Sequence, residues 1–439
     1  MTTNYAYVRK EIVAEVPPPA SEVGVVGWIR KNLFSSWLNT VLTLVGVYLI
    51  WTVVPPVLEF AFFNAVWTGE NREACVGVHG ACWAYVEAYF PQFIYGRYPD
   101  AERWRVNLVF FLFAAGLVPM LIPRVPYKRW NIAYMFGVFP VVAFILLTGG
   151  DFKLSGFVFS GSTMSFWIEY LILTVVLAGA AFGIAILGDN DPRPTVFSTL
   201  AAMAAIAFVL FLVSVDFGLP EVETEVWGGL LVTLVIAVTG IAASLPLGIA
   251  FALGRRSKMP LVRLVSIIFI EFWRGVPLIT VLFMSSVMLP LFLPEGVTFD
   301  KLLRALIGVA LFSAAYMAEV VRGGLQAIPK GQYEGAQALG LGYWQMMGLI
   351  VLPQALKLVI PGIVNSFISL FKDTTLVLII GLFDLLGQVQ SSFTDPTWST
   401  PTQSHTGYLF AAAVFWIFCF SMSRYSIYME KRLHTGHRR

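Results

Sequence analysis

Charged residues inside apolar segments are the part of this sequence best suited to chemistry. A charge in hydrocarbon is costly unless it is paired or lines a water-filled path. Glu271 with Arg274, and Glu319 with Arg322, are spaced i and i+3, so each pair can meet on one helix face. A path lined by both signs suits a zwitterionic amino acid, whose ammonium needs an acceptor and whose carboxylate needs donors. The candidate pathway residues are Glu271, Arg274, Glu319, Arg322, Lys372 and Asp373.

A structural role for these charges stays open beside the pathway role. Opposite charges can neutralise one another and fix the packing of two helices without touching any substrate. Lys372 and Asp373 are adjacent in the sequence, so their side chains must point apart. The sequence alone does not separate the two roles.

The composition places the elements that carry these residues in a membrane. Of the 439 residues, 58% are hydrophobic and 13% are charged, which lies outside the range of an ordinary soluble domain. We therefore expect contact with membrane lipid. The net charge of +3 gives no argument for nucleic-acid binding. Instead, the basic residues cluster beside apolar segments, as topology signals do.

The first half of the chain predicts an accessory membrane region. A polar N-terminal segment, 1–36, precedes an apolar run that follows Arg30 and Lys31, and we interpret that run as an uncleaved first helix with the N-terminus in the cytoplasm. The accessory region, 37–226, includes an outer loop, 60–105, that is rich in aromatic residues. Five runs have the length a bilayer core requires: about 37–58, 106–123, 132–148, 168–187 and 197–215.

The second half predicts a core of five more spans over 227–424. Arg255, Arg256 and Lys258 follow the first of these and mark a cytoplasmic end. We expect a helix over about 262–284, another from about 302, and an outer or half-inserted segment over Leu376–His405. A basic tail, 425–439, follows the last span. The sequence thus predicts an all-α polytopic membrane protein of about ten transmembrane helices with both termini in the cytoplasm.

The apolar pattern is interrupted at Gln332–Pro353, which predicts a short helix outside the membrane. Tyr333–Leu339 consists mostly of good helix formers, and Gly340 and Gly342 readily end a helix. The small residues Gly335, Ala336 and Ala338 would let the surface of a partner approach the helix closely. The alternative is an ordinary polar connection between two spans.

Two of the three cysteines lie in the outer loop. Cys75 and Cys82 would form a disulfide in an oxidising compartment, and two unrelated thiols are the alternative. We predict no metal site, because His79 is the only other soft ligand nearby. Cys419 lies in an apolar run and is interpreted as a small packed hydrophobe.

The polar stretch carries a recognisable pattern. The residues Glu334, Ala336, Gly340, Ile350, Leu352 and Pro353 have the spacing of the loop signature of ABC-importer permeases, with Gly335 in place of the first Ala of that pattern. The segments that begin at Ile270, Ala315 and Asn365 resemble the polar amino-acid branch of these permeases. The resemblance covers about Trp227 to Arg424. The chain is similar to the long membrane subunit of general L-amino-acid or glutamate/glutamine importers.

The resemblance implies a five-helix permease core with a cytoplasmic coupling loop, 325–350. It implies a subunit of the bacterial inner membrane that translocates L-amino acids. Its partners would be a second homologous permease subunit, a cytoplasmic ABC ATPase dimer and a periplasmic amino-acid-binding protein. The ATPase-coupling residues would be Glu334, Gly335, Ala336, Gly340, Leu352 and Pro353.

We expect no catalytic residues in this chain. The sequence lacks G-x-x-x-x-G-K-[ST], a nucleophile elbow and HExxH. The chain is therefore not expected to be an enzyme or to bind a cofactor, and ATP and magnesium would be used by the partner ATPase.

Two other functions remain open. An ion-coupled secondary transporter acting alone would also carry paired charges within the membrane. Such a carrier would not need a small-residue helix outside the membrane. A sensor or anchor that transports nothing would carry a soluble signalling module, and no loop or tail has the length for one.

Overall fold

The computed structural model describes residues 24–154, 156, 162–187, 191–292 and 299–433. These residues form helices and isolated β-bridges, with no strand among them. The predicted all-α fold is confirmed. The first 23 residues of the N-terminal segment and the last six of the basic tail lie outside the described residues.

The described residues of the first half form eight α-helices. All five apolar runs of the sequence coincide with candidate spans, which begin at the predicted residue or up to six residues before it. The helices are α1 (Gly24–Asn32), α2 (Trp37–Leu58), α3 (Trp83–Tyr95), α4 (Arg103–Leu121), α5 (Lys128–Ala133), α6 (Phe139–Thr148), α7 (Thr163–Leu187) and α8 (Pro192–Ser214). A π-helical turn continues α2 to Phe63, and another joins α5 to α6.

Nine helical segments within the described ranges are long and apolar enough to cross a membrane. A tenth span results if the bent pair Pro260–Gly275 and Leu278–Phe292 is counted as one. These totals agree with the prediction of about ten spans.

Three arginines that the predicted topology places on the outer side, Arg97, Arg103 and Arg105, conflict with the bias of basic residues toward the cytoplasm. The Arg105 side chain is fully buried, lies 2.8 Å from Glu102 and donates a hydrogen bond of 3.0 Å to the carbonyl of Pro220. Arg103 pairs with Asp100 at 2.6 Å. Because both have partners within the protein, they act as packing residues rather than as topology signals.

Ten α-helices lie in the part of the second half that the structure describes. They are α9 (Gly229–Arg255), α10 (Pro260–Gly275), α11 (Leu278–Phe283), α12 (Lys301–Ala327), α13 (Lys330–Ala338), α14 (Tyr343–Met346), α15 (Leu352–Leu358), α16 (Ile360–Asp373), α17 (Leu385–Ser392) and α18 (Gln403–Leu433). A 3₁₀ segment, Thr374–Ile380, follows α16.

The two long helices α9 and α12 pack along each other and form the centre of this half. Val232, Ala314 and Ala318 are fully buried. A Cβ added at Gly248 would lie 2.6 Å from Cγ of Met317. Small residues therefore set the short distance between the helices, as is common in membrane proteins.

The helix predicted over about 262–284 is interrupted. Its two parts, α10 and the segment from Leu278, meet at an angle of 102°. Val276 between them has extended backbone, with φ −105° and ψ 131°. Pro277 accounts for this break, because its ring disfavours helical geometry at the preceding residue and it has no N–H to donate.

The chain divides into two compact units. One consists of the described part of Met1–Ala84 together with Thr400–Thr406, and the other of Tyr85–Ser399 with the described part of Gly407–Arg439. The boundary drawn from the sequence between residues 226 and 227 does not coincide with this division. Thus the helices from α4 to α8 belong to the same unit as the core.

Candidate functional site

The polar segment forms a helix that ends as the sequence predicts. The helix α13 begins at Lys330, after Pro329, three residues before the predicted start. Gly340 has φ +72°. Its N–H donates to the carbonyl of Gln337 (2.9 Å), and the N–H of Leu341 donates to the carbonyl of Ala336 (3.2 Å). These two bonds are those of a Schellman motif, which uses a left-handed residue after the helix.

The surface of this segment carries large exposed apolar side chains. Leu339, Trp344 and Leu349 are 77%, 75% and 72% exposed. Among the predicted coupling residues, Glu334, Gly335, Gly340 and Pro353 are exposed, Leu352 is half-buried, and Ala336 is buried. Ala336 therefore packs against its own chain and does not itself offer a small surface to a partner.

Arg256 and Tyr333 fasten α13 to the core. The Arg256 guanidinium donates to the Tyr333 hydroxyl and to the carbonyl of Leu325, both at 3.0 Å. The Tyr333 hydroxyl in turn donates to the same Leu325 carbonyl at 3.1 Å. Gln354 donates to the Gln332 side chain at 3.1 Å, which ties the first turn of α13 to α15.

Glu319 is the centre of a charged cluster formed by α9, α10 and α12. Its side chain is 16% exposed. Arg322 lies 2.6 Å from Glu319, as the i, i+3 spacing predicts, Arg255 lies 2.9 Å away, and Arg274 lies 3.7 Å away. Glu271 completes the cluster.

The structure pairs Glu271 and Arg274 differently from the sequence prediction. Glu271 lies 2.9 Å from Arg255, and Arg274 approaches Glu319. Tertiary neighbours from α9 and α12 replace the contact along α10.

The cluster thus contains three guanidinium groups and two carboxylates, which leaves one positive charge unmatched. Glu271 and Arg274 are its most accessible members, with side chains 55% and 38% exposed.

The structure does not bring Lys372 and Asp373 into this cluster. Lys372 is exposed and Asp373 is half-buried at the end of α16. No ion pair of either side chain is found within the described ranges.

Arg255 is the member that sequence reasoning missed. The sequence pattern identifies it only as a marker of the cytoplasmic end, together with Arg256 and Lys258. A signal was present, because Arg255 ends a span and can extend its long side chain back along it. Its partners lie 16 and 64 positions further along the chain, so sequence spacing could not identify them.

Cys75 and Cys82 are joined by a disulfide with their Cα atoms 5.8 Å apart. Both residues are buried. The N–H of Cys82 also donates to the hydroxyl of Thr406 at 3.0 Å. Cys419 is a free, half-buried thiol.

The described chain combines membrane spans, a charged cluster between them and a polar helix tied to their ends. Together these features define a membrane transport subunit. Residues 244–435 match the family described as binding-protein-dependent transport system inner membrane component.

Full-length relatives identify the family more narrowly. The inner membrane amino-acid ABC transporter permease protein YhdY of Escherichia coli is 48% identical over 98% of this chain and 99% of that protein. The glutamate/glutamine/aspartate/asparagine transport system permease protein BztC of Rhodobacter capsulatus is 42% identical over 99% of both chains. The chain belongs to the family of amino-acid ABC transporter permeases.

Shorter proteins match only part of the chain. The probable amino-acid ABC transporter permease protein YckA of Bacillus subtilis is 32% identical over 46% of this chain and 85% of that protein. A crystal structure of an amino acid ABC transporter covers 46% of this chain and 92% of that chain at 29% identity, with a TM-score of 0.41.

Proposed function

We propose that this chain is the permease subunit through which an ATP-driven importer carries L-amino acids across the bacterial inner membrane. The charged cluster around Glu319 carries the proposal. It lies between spanning helices and combines donors with acceptors and one unmatched positive charge. Such a set can meet both ends of a zwitterion.

Glu271 and Arg274 are the residues we assign to contact with the cargo. Both are more exposed than Glu319, and Arg274 has the longest contact of the cluster, 3.7 Å. Glu271 would accept from the ammonium, and Arg274 would donate to the carboxylate. Arg255 and Arg322 hold the Glu319 carboxylate at 2.9 and 2.6 Å and would keep the cluster assembled.

Energy would reach this subunit through α13. The partners we propose are a pair of cytoplasmic ATPase subunits that use ATP and magnesium, a second related permease and a periplasmic amino-acid-binding protein. The permease itself would catalyse no reaction. Arg255 belongs to the cluster, and the adjacent Arg256 contacts Tyr333. A displacement of α13 would therefore be transmitted to the cluster through two consecutive residues.

This arrangement requires α13 and both termini to lie in the cytoplasm. Arg255, Arg256 and Lys258 support that orientation through the bias of basic residues toward this side. A cysteine introduced at Ser257 should react with a membrane-impermeant maleimide in inside-out vesicles only. Reaction in intact spheroplasts would reverse the topology.

The function is tested with the assembled importer in proteoliposomes. We expect ATP-dependent uptake of L-amino acids, and we expect Glu271→Gln and Arg274→Met to reduce it at least tenfold while the subunits still co-purify. Lys258→Met, at an exposed residue outside the cluster, is the control. Uptake by the purified chain alone under an ion gradient would contradict the proposal and support a secondary transporter.

A further inference from the structure

A polar cavity lies at the end of the two central helices opposite the charged cluster. Its volume is about 160 Å³, and it is lined by residues that include Trp227, just before α9, and Lys301, the first residue of α12. Eighteen residues of α12 separate Lys301 from Glu319, or about 27 Å at the helical rise. The cavity is therefore distinct from the charged cluster.

One buried hydrogen-bond donor at the cavity lacks an acceptor. Trp227 is 5% exposed, and its buried Nε1 has no hydrogen-bond partner in the described part of the chain. Gln388 is 3% exposed, and its Oε1 accepts from Gln92 at 3.0 Å. Gln388 lines the cavity as well, and its amide group carries two N–H donors. A buried donor without a partner is costly, so an acceptor from outside the chain is expected here.

Charged side chains of both signs also line the cavity. Arg97, Lys301 and Glu225 contribute to its wall, and none of the three takes part in an ion pair within the described ranges. The Arg97 guanidinium lies 5.9 Å from the ring centre of Phe383. Two further carboxylates adjoin lining residues along the chain. Asp384 caps α17 by accepting from the N–H groups of Leu386 and Gly387. Asp300 accepts from Leu303 N at 2.9 Å and from the Thr224 hydroxyl. Asp300 is thus engaged in capping α12.

We propose that this cavity binds one free α-amino acid. Arg97 and Lys301 hold its carboxylate with help from the Trp227 N–H, and Glu225 accepts from its ammonium. A cavity of about 150 Å³ can hold a molecule the size of benzene. This cavity, of about 160 Å³, is also bordered by the exposed residues Arg97 and Glu225, so an amino acid larger than benzene can extend past its mouth. The inference rests on the proposed function and adds a second substrate site to it.

The site gives the permease a place to hold substrate before it reaches the cluster. Its two cations and one carboxylate leave an excess positive charge, as in the cluster. A ligand with one ammonium and two carboxylates balances that excess. We therefore expect L-glutamate to bind at least as tightly as L-glutamine and more tightly than L-arginine.

Binding is measured on the full-length chain in nanodiscs labelled with 5-fluorotryptophan. The ¹⁹F resonance of Trp227, assigned by its loss in Trp227→Phe, should shift as L-glutamate is titrated. Arg97→Gln and Lys301→Met should weaken the binding of radiolabelled L-glutamate to this site at least tenfold. Lys153→Met removes an exposed lysine outside the cavity and should change nothing. Melting temperatures confirm that each variant is folded.

Two further ligands separate an amino-acid site from a simple anion site. Acetate and inorganic phosphate carry negative charge but no ammonium that could pair with Glu225. Both should therefore bind much more weakly than L-glutamate. Equal shifts with phosphate, or no shift with any amino acid, would overturn the inference.

Uptake by the assembled importer distinguishes failure of this site from failure of the proposed function. If the wild-type importer takes up amino acids but Arg97→Gln and Lys301→Met bind L-glutamate as tightly as the wild type, the cavity site is rejected. The proposed function is then unaffected. A wild-type importer that carries no amino acid would reject the proposed function itself.

Discussion

Arg256 and Tyr333 are joined twice: by a hydrogen bond of 3.0 Å and by a guanidinium that lies 5.4 Å from the centre of the tyrosine ring. This contact links the end of α9 to α13. Arg255, the preceding residue, lies 2.9 Å from Glu319. Consecutive residues at one helix end therefore contact the polar helix and the charged cluster.

Removal of the Arg256 guanidinium should uncouple the polar helix from the transport path. Arg256→Gln loses the bonds to Tyr333 and Leu325, and a hydrogen bond to a charged group is worth about 1.5–3 kcal/mol. We expect the ATPase to stay bound but uptake per ATP hydrolysed to fall at least threefold. Lys258→Gln is the matched control. An unchanged ratio of uptake to hydrolysis would show that the contact transmits nothing.

Glu319 should be the cluster residue on which assembly depends most. Glu319→Gln leaves three arginines without their shared carboxylate, and an uncompensated charge that is truly buried costs about 3–5 kcal/mol. The 16% exposure of Glu319 reduces this cost. We expect less folded subunit in the membrane, with partial recovery in the double variant Glu319→Gln/Arg322→Met. Glu271→Gln, at a more exposed carboxylate, should keep the subunit level normal. Equal levels in all three would mean that the cluster is not structural.

The sequence predicted the elements better than their contacts. Apolar runs of about 20 residues identify spans because the bilayer imposes that length. Gly340 identifies the end of α13 because glycine readily adopts the positive φ that the residue after a helix often has, and the structure shows that φ. The partner of Glu271 depended on where α9 ends in space, which spacing along α10 cannot show. The sequence could have indicated the bend, because a proline such as Pro277 often breaks a helix. Its apolar neighbours on both sides nevertheless favoured a continuous helix.

Asp384, the N-cap of α17, should make this part of the protein sensitive to pH. Burial raises the pKa of its carboxyl from 3.8 to about 6, although N–H groups of Gly387 and Leu386 act in the opposite direction. Because the folded chain then binds this proton more tightly than the unfolded chain, the free energy of unfolding falls as pH rises from about 4 to 6. Two pKa units correspond to about 3 kcal/mol.

Hydrogen exchange of α17 provides the measurement. After correction for intrinsic rates, residues 385–392 should be better protected at pH 5 than at pH 7.5. Asp384→Asn keeps a capping oxygen but does not titrate, so it should remove most of the difference. Protection that is independent of pH in the unaltered chain would contradict the assignment.

The pair Cys75 and Cys82 should be oxidised in protein taken from native membranes. Closure of so short a loop stabilises the folded state by about 2 kcal/mol in the chain-entropy description. Cys82→Ser should therefore increase proteolysis within 66–84. Mass spectrometry of non-reduced peptides tests the pairing directly. Alkylation of both cysteines without a reductant would show that they are free thiols.

Gly340 and Gly335 form a natural comparison within the polar segment. A Cβ added at either position meets no heavy atom within 4 Å. They differ in backbone, because Gly340 has φ +72° after the helix, whereas Gly335 lies inside it. Any difference between substitutions at the two positions therefore reflects backbone conformation rather than steric collision within the chain.

Gly340→Val should misdirect the chain after α13. A side chain in the left-handed region costs about 1–2 kcal/mol, and more when it is β-branched, so the Schellman motif should open. The spans are untouched, so the subunit should reach the membrane at a near-normal level, with weak ATPase association and little amino-acid uptake. Gly335→Ala should instead stabilise the helix by about 1 kcal/mol and preserve both activities. Co-purification of the ATPase and radiolabelled uptake in vesicles are the measurements. Normal values for Gly340→Val in both would mean that this segment does not transmit energy from the ATPase.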